Sequence, residues 1–593
     1  MTTYYGNYAT GSDTNSGTSP NSPWKHAPGD KNATGNVTNT TLVGGDEVMF
    51  AGGVVYQGSI QIPTGGTAGK PIVYEGTGYG TGQAIMSGLT SVTVNFTAVP
   101  GQPGVSVATL PTGLMPSLSN IVEIDGNVSY MSNNSTSTNP NAPDLGATSY
   151  KASEMTGSGS SWTFTDPTLA KTLSALTPSQ ISNLVFRTYV AGNNQLNMSV
   201  TGFNSQTGAL SLSGAFVAPT GLPAGPSYTL YNDPNFVKTS DPYSEYAIEG
   251  NQLYAAVTPG THTISVSTLP YAFETTKSNV TIDGFNISGY GAGDGRGVEV
   301  FNDQNIQITN NTFSNLATHV GYGYSAIYAN AVTNLTVSGN TIGPNIANGA
   351  GIELLNDTNV VASRNTINGV GWTGIVAFGD SNTSISYNQI SNLYYCHGAG
   401  IICYALSNGP PSQNVSITNN QIANAGTGID FEGYNTSGPS AQPNNFTVAD
   451  NVLTGITGWG IADYGDTNTA NIYGNIVLTT PQAYGPFAVY PTSTNISYYD
   501  NIVSKYSYIS PTLFTTTNTK FWGNVALAPY AGGAPPGTNT VNTALASVLT
   551  QALASPGSLP ASIGSILSPG SSTPIGIDWT TAQAVSAAAH PGW

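Results

Sequence analysis

Asp430 and Glu432 stand two apart in the segment Gly428-Ile429-Asp430-Phe431-Glu432, and Glu299 and Glu353 follow the same glycine-apolar pair in Gly297-Val298-Glu299 and Gly351-Ile352-Glu353. Charged residues are only 7% of the chain, against about 25% in ordinary globular proteins. Carboxylates recurring in one kind of segment are therefore a concentration, because solvated strand positions elsewhere are mostly Ser, Thr or Asn. On an extended strand, residues i and i+2 project to one side about 6.5–7 Å apart. Flexible side chains bring two such carboxyls to about 5–9 Å, a window that includes both retaining and inverting geometries for splitting a glycosidic bond. This spacing makes Asp430 a candidate nucleophile or base and Glu432 a candidate acid. If the segments stack at the inter-strand spacing, Glu299 and Glu353 lie about 9–10 Å apart, and Glu353 and Asp430 about 14 Å, too far to share one bond. Glu353 is the third catalytic candidate, and Glu299 a ligand contact along the same groove.

The stretches flanking these segments carry Asp294, Arg296, His319, Tyr322, Tyr324, Trp372, Tyr394, Tyr395, His397 and Trp459, and the strands themselves carry Tyr328 and Tyr404. Flat apolar rings beside carboxylates suit a sugar, which stacks on the rings while acids reach its glycosidic oxygen. Asp294, His319, His397, Tyr328, Tyr404, Trp372 and Trp459 are accordingly the candidate substrate contacts. Each has a plainer alternative. The turn histidines would be structural hydrogen-bonders and the tryptophans coil-end caps. Asp430 and Glu432 would be solvent-facing or hold a structural cation, with another pair, including Asp463 or Asp294, doing the chemistry.

The elements that must position these residues repeat. Asparagines recur every 23 to 32 residues at Asn311, Asn340, Asn365, Asn388, Asn420, Asn451, Asn475, Asn501 and Asn524. Each is followed two positions later by Phe313, Ile342, Ile367, Ile390, Ile422, Leu453, Val477, Val503 or Ala526. Short alternating segments precede most of them, and Gly-Ile type segments lie between. Such a period, built of short strands, is a solenoid coil that buries its apolar edge only by stacking on neighbours. A buried asparagine at each turn then bonds to its equivalents above and below. The pattern predicts an all-β fold: a right-handed parallel β-helix of about ten coils. In it the residue after each Gly-Ile points outward, giving the column Glu299, Tyr328, Glu353, Val376, Ile402, Asp430, Ala462.

Composition narrows the function. A net charge of −17 and a pI near 4.3 leave no basic face for nucleic acid. No apolar run is long enough to span a membrane. No three-ligand metal pattern is present, so no cofactor is expected, although a structural calcium between Asp side chains and carbonyls remains open. The two cysteines, Cys396 and Cys403, exclude a disulfide framework and read as buried thiols, with one bridge as the alternative. Met1-Thr2-Thr3-Tyr4 shows no export signal. The expectation is an extracellular protein whose signal has been removed, or one carried on a phage particle.

Along the chain, residues 1–95 read as an N-terminal cap and first coils. Residues 96–240 lose the turn asparagines and read as an inserted β-rich, sandwich-like subdomain. Residues 241–530 are the regular solenoid carrying the groove. Residues 531–593 read as a capping tail, with short helices at 542–553 and 578–590. The opening Tyr4-Tyr5, the turn Gly11-Ser12-Asp13-Thr14-Asn15-Ser16-Gly17-Thr18-Ser19 and Pro23-Trp24-Lys25 resemble the N-terminal segment of secreted carbohydrate-active β-helix proteins, lyases and glycosidases alike. The succession Tyr228–Asn232, Tyr243–Tyr246 and Leu253-Tyr254 resembles the return to the solenoid in β-helix glycoside hydrolases of the β-xylosidase type. The resemblance implies a glycoside hydrolase acting on a neutral or weakly charged poly- or oligosaccharide. A lyase or epimerase is the first alternative, disfavoured because the coils offer only Arg296, Arg364, Lys505 and Lys520 as cations. A tailspike-type glycan-binding depolymerase is the other. The carbohydrate is the one partner expected, on a monomer or a homotrimer.

Overall fold

The computed structural model describes residues 1–118, 120–137, 146–191, 194–216, 226–239, 244–293, 295–316, 324–344, 349–393, 398–405, 410–433, 444–481, 483–489 and 492–504, with the short pieces 519–522, 524–526 and 540–541. The two tail helices expected from the sequence lie outside these residues.

Three parallel sheets wind into a solenoid. Sheet A has thirteen strands from Thr3–Gly6 to Lys520–Trp522, sheet B ten from Ile60–Gln61 to Gly485–Val489, and sheet C thirteen from Val55–Gln57 to Thr540–Val541. The described strands thus make more turns than the ten expected, because Thr3–Ser87 contributes coils that lack the turn asparagine. One apolar core runs the length of the spiral, with Ile282, Ile308, Val337, Ile385 and Ile417 stacked along sheet A. The Gly-Ile segments open the sheet B strands. Their glycines are required by close approach: a Cβ on Gly374 would lie 2.5 Å from the carbonyl oxygen of Gly400 in the next coil.

The asparagines from Asn311 to Asn524 form a continuous buried ladder between sheets A and C. Asn365 shows the pattern: its Nδ2 donates to the Val337 carbonyl and to Asn388 Oδ1, both at 3.0 Å, and its backbone N–H donates to Asn388 Oδ1 at 3.0 Å. Every amide atom is satisfied inside a dry turn, which is why a buried polar residue is stable there. A second, exposed ladder runs through Asn305, Asn334, Asn359, Asn382 and Asn414 at the turn from sheet B to sheet A. Those residues take φ values of 53 to 60°, a left-handed conformation that asparagine tolerates.

The chain leaves the solenoid after Ile85–Ser87 and rejoins it at Tyr271–Thr275, which pairs parallel with Ile60–Gln61 and Arg296–Phe301. Between these lie a closed barrel built from strands Leu89–Ala98 to Gly260–Ser267 and a seven-stranded antiparallel sheet from Thr148–Ser149 to Ser227–Tyr231. The insert is therefore longer than 96–240. Ser244–Glu249 and Gln252–Ala255, expected as the return to the solenoid, pair with each other antiparallel in the barrel. Alternating Tyr-rich strands satisfy either kind of sheet, so their pattern does not identify the partner.

Candidate functional site on the outer face of sheet B

The strand register aligns Glu299, Tyr328, Glu353, Val376, Ile402, Asp430 and Ala462 in one column on sheet B. The neighbouring column runs Phe301, Asn330, Leu355, Phe378, Tyr404. It continues past the strand ends through Glu432, whose N–H donates to the Cys403 carbonyl at 3.0 Å, and Tyr464, whose N–H donates to the Phe431 carbonyl at 2.9 Å. The first column is the one expected from the alternation, and the second follows it two residues on.

The face is not open, however. Tyr328, Trp372, Val376, Phe378 and Ile402 form a buried apolar cluster with Tyr189, which comes from the insert strand Val185–Ala191. Glu353 sits between Tyr328 and Val376 in this floor and is 0% exposed. Trp372 is 1% exposed, so its ring packs the floor and is not a free platform. Nothing local in the sequence signals this cover, because the covering strand lies more than a hundred residues away.

At one end of the column, Arg296 Nη1 is ion-paired with Glu299 Oε2, and its guanidinium lies 3.9 Å from the Tyr328 ring centroid. At the other end are Asp430 and Glu432. Asp430 is 6% exposed, and its Oδ1 is buried without a hydrogen-bond partner among the described residues. Burial pushes its carboxyl well above the ordinary value, opposed by a hydrogen bond with the Tyr404 side chain. Tyr404 is itself held by rings, stacked on Phe378 at 5.8 Å and edge-on to Tyr464 at 6.2 Å. Glu432 is half-buried, and burial together with the charges of Asp466 and Asp463 raises it to about 7. Asp466 was not singled out from the sequence; its place just beyond the next sheet B strand was the available signal.

Asp463 is in register with the core residue Phe431 and points inward. Its Oδ1 accepts from Gly465 N–H at 3.1 Å and Thr467 Oγ1 at 2.8 Å, which makes it a turn cap and removes it as an alternative catalytic partner on this face. Trp459 opens the same strand, half-buried, with its ring 5.7 Å from Tyr484, which is 66% exposed. Asp294, His319 and His397 lie outside the described residues, as does Cys396. Cys403 is a buried free thiol. Among the described residues no group of three or more His, Cys, Asp or Glu is arranged to hold a metal, and no helix is long and apolar enough to cross a membrane.

Residues 296–477 match the family described as the right handed beta helix region. The chain is a right-handed parallel β-helix. Among solved structures this β-helix is similar to a protein described as a glycoside hydrolase, with a TM-score of 0.53 at 11% identity over 91% of this chain and 96% of the other. Weaker likenesses are to XylC in complex with xylose (TM-score 0.45, 12% identity, 91% and 86% covered) and to the GH136 lacto-N-biosidase from Eubacterium ramulus (0.39, 11%, 91% and 68%). Among curated protein sequences none matches the chain. At these identities the likeness is one of fold.

Proposed function

We propose that this β-helix is a glycoside hydrolase acting on a neutral or weakly charged poly- or oligosaccharide, with Glu432 as general acid and Asp430 as base or nucleophile. The observation that carries the reading is the Asp430–Glu432 pair: two carboxyls i and i+2 on one strand end, one with an unpartnered buried oxygen, beside the ring array of Tyr404, Phe378 and Tyr464. A carboxyl raised to about 7 keeps its proton near neutral pH and has one to give to a leaving-group oxygen. Asp430 faces the opposite demand. Burial favours its protonated form and the Tyr404 hydrogen bond the ionised one, and positive charge developing at the anomeric carbon would favour the anion that this role requires. The similar fold of a protein described as a glycoside hydrolase supports the class of reaction.

In this reading Glu299 and Arg296 contact sugar hydroxyls at one end of the groove, and Trp459 with Tyr484 offers a ring platform at the other. Glu353 supports the floor from beneath. Elimination chemistry is disfavoured by how the described arginines of the coils are engaged. Arg296 is tied to Glu299 and stacked on Tyr328, and Arg364 lies over Tyr387 at 5.7 Å at the turn after sheet A, away from the carboxylate column. The same reading puts the protein outside the cell, where such polymers are met. The test is a panel of neutral and weakly acidic glycans assayed for new reducing ends, with Asp430→Asn and Glu432→Gln as controls. Retention of full activity by both variants would overturn the assignment.

A further inference from the structure

The turn from sheet B into sheet A contains a second column, one residue before most of the sheet A strands: Asp303, Val332, Asp357, Asp380, Ser412, Thr467 and Ser493. Its polar members cap backbone N–H groups of the coil before. Asp357 Oδ1 accepts from Val332 N–H and Asp380 Oδ1 from Asp357 N–H, each at 2.7 Å. Ser493 Oγ does the same for Thr467 N–H at 3.2 Å, and Ser412 Oγ accepts from Gly379 N–H of the coil before at 3.1 Å. Neutral side chains therefore suffice for this duty.

Asp357 and Asp380 are successive members of the column, both 0% exposed, and the Oδ2 of each is buried without a hydrogen-bond partner among the described residues. Among the described residues no Lys, Arg or His acts on either. The charge acting on Asp380 is Asp357, and the titratable groups facing the pair are Tyr328 on the preceding coil and Cys403 on the following one. Asp303, two coils back, has Lys277, Thr275 and Ser278 to offset its burial; Asp357 and Asp380 lack such cationic help. Two desolvated carboxylates one coil apart, about 4.8 Å, repel each other, and no ion pair compensates.

We infer that Asp357 and Asp380 are an acid-stabilised element of the fold: the native solenoid holds them as neutral acids, so the protein is most stable in acidic surroundings and loosens as they ionise. Burial raises both carboxyls, Asp357 to about 7 and Asp380 well above its ordinary value. The unfolded chain releases these protons in the ordinary carboxylate range near 3.9. Between that range and neutrality the folded form holds more protons than the unfolded one, so stability falls as pH rises.

The test is thermal unfolding of the full chain at about pH 5 and about pH 8. The expected result is a wild-type midpoint lower at the higher pH by on the order of 5 °C. In Asp357→Asn/Asp380→Asn that difference shrinks, and the variant matches or exceeds wild type at the higher pH. A wild-type midpoint that rises with pH, or a pH difference unchanged in the double variant, overturns the inference. Should the double variant fail to fold, Asp380→Ser, which copies Ser412, is measured the same way. Infrared spectroscopy near neutral pH gives a second readout: a protonated-carboxylic-acid carbonyl band present in the wild type and weakened in the double variant supports the inference, and a band that is absent, or unchanged in the double variant, overturns it.

Discussion

Asn388→Ala strikes the buried ladder at its middle. Asn388 is 0% exposed. Its Nδ2 donates to the Ala362 carbonyl and to Asn420 Oδ1, each at 2.9 Å, and its Oδ1 accepts from both the N–H and the Nδ2 of Asn365 at 3.0 Å. Truncation removes all of these. Asn365 Nδ2 keeps the Val337 carbonyl, and Asn420 Oδ1 keeps the N–H of residue 388. The Asn365 N–H and the Ala362 carbonyl lose this partner where water does not reach. At about 1–3 kcal/mol for each unsatisfied buried group, the cost is about 2–6 kcal/mol. Coils interact with their neighbours alone, so the loss is centred on the coils on either side. Urea unfolding followed by circular dichroism measures the total, and hydrogen exchange at the Asn365 amide measures the local part. Asn382→Gly is the control. It removes two exposed bonds of the outer ladder, to Asn359 and from Asn414, at a φ of 54° that glycine adopts freely. It is expected to cost less than about 1 kcal/mol. A cost below about 1 kcal/mol for Asn388→Ala, or no gain in exchange at Asn365, would refute the ladder as a source of stability.

Four further outcomes follow from the structure. Asp430→Asn and Glu432→Gln should each lower the turnover of a cleaved glycan by about 10²–10⁴-fold with the fold intact by circular dichroism. Activity should fall as pH rises through about 7, where Glu432 loses its proton. Asp466→Asn removes the larger of the two charges acting on Glu432, so this alkaline limb should move to lower pH in a pH–rate profile. At the N-terminal coil, Asp13 accepts from His26 N–H and Nδ1 and from Thr34 N–H and Oγ1 at 2.7–3.0 Å. Burial would raise its carboxyl, but these bonds outweigh it and hold it below the ordinary value. Its stabilisation is therefore present above about pH 4 and lost as pH falls below it, and Asp13→Ala should lower the thermal midpoint at neutral pH by more than it does in strong acid.

The solenoid was readable because its constraints are local and recurrent. Only a buried ladder requires Asn311, Asn340, Asn365 and their equivalents at one turn, and strand alternation then fixes Glu299, Glu353 and Asp430 on one face. The cover on that face was not readable. Tyr189 joins the buried cluster of Trp372 and Val376 from a strand whose own pattern speaks only of an antiparallel sheet. For the same reason Glu353 and Trp372 turned out to be buried in the floor, where an open face would have exposed them. The buried pair Asp357 and Asp380 carried a usable signal: a polar residue recurs just before most sheet A strands. Aspartate beside asparagine in an Asn-rich turn, however, gives no hint of whether it faces water or core.

The reaction itself is tested most directly by cleaving a substrate glycan in water enriched in heavy oxygen and weighing the products. Hydrolysis by Asp430 and Glu432 predicts one solvent oxygen at the new reducing end, formed about 10²–10⁴-fold more slowly in the Glu432→Gln background. Products that carry no solvent oxygen and absorb ultraviolet light as unsaturated sugars would mean elimination, and would contradict the account.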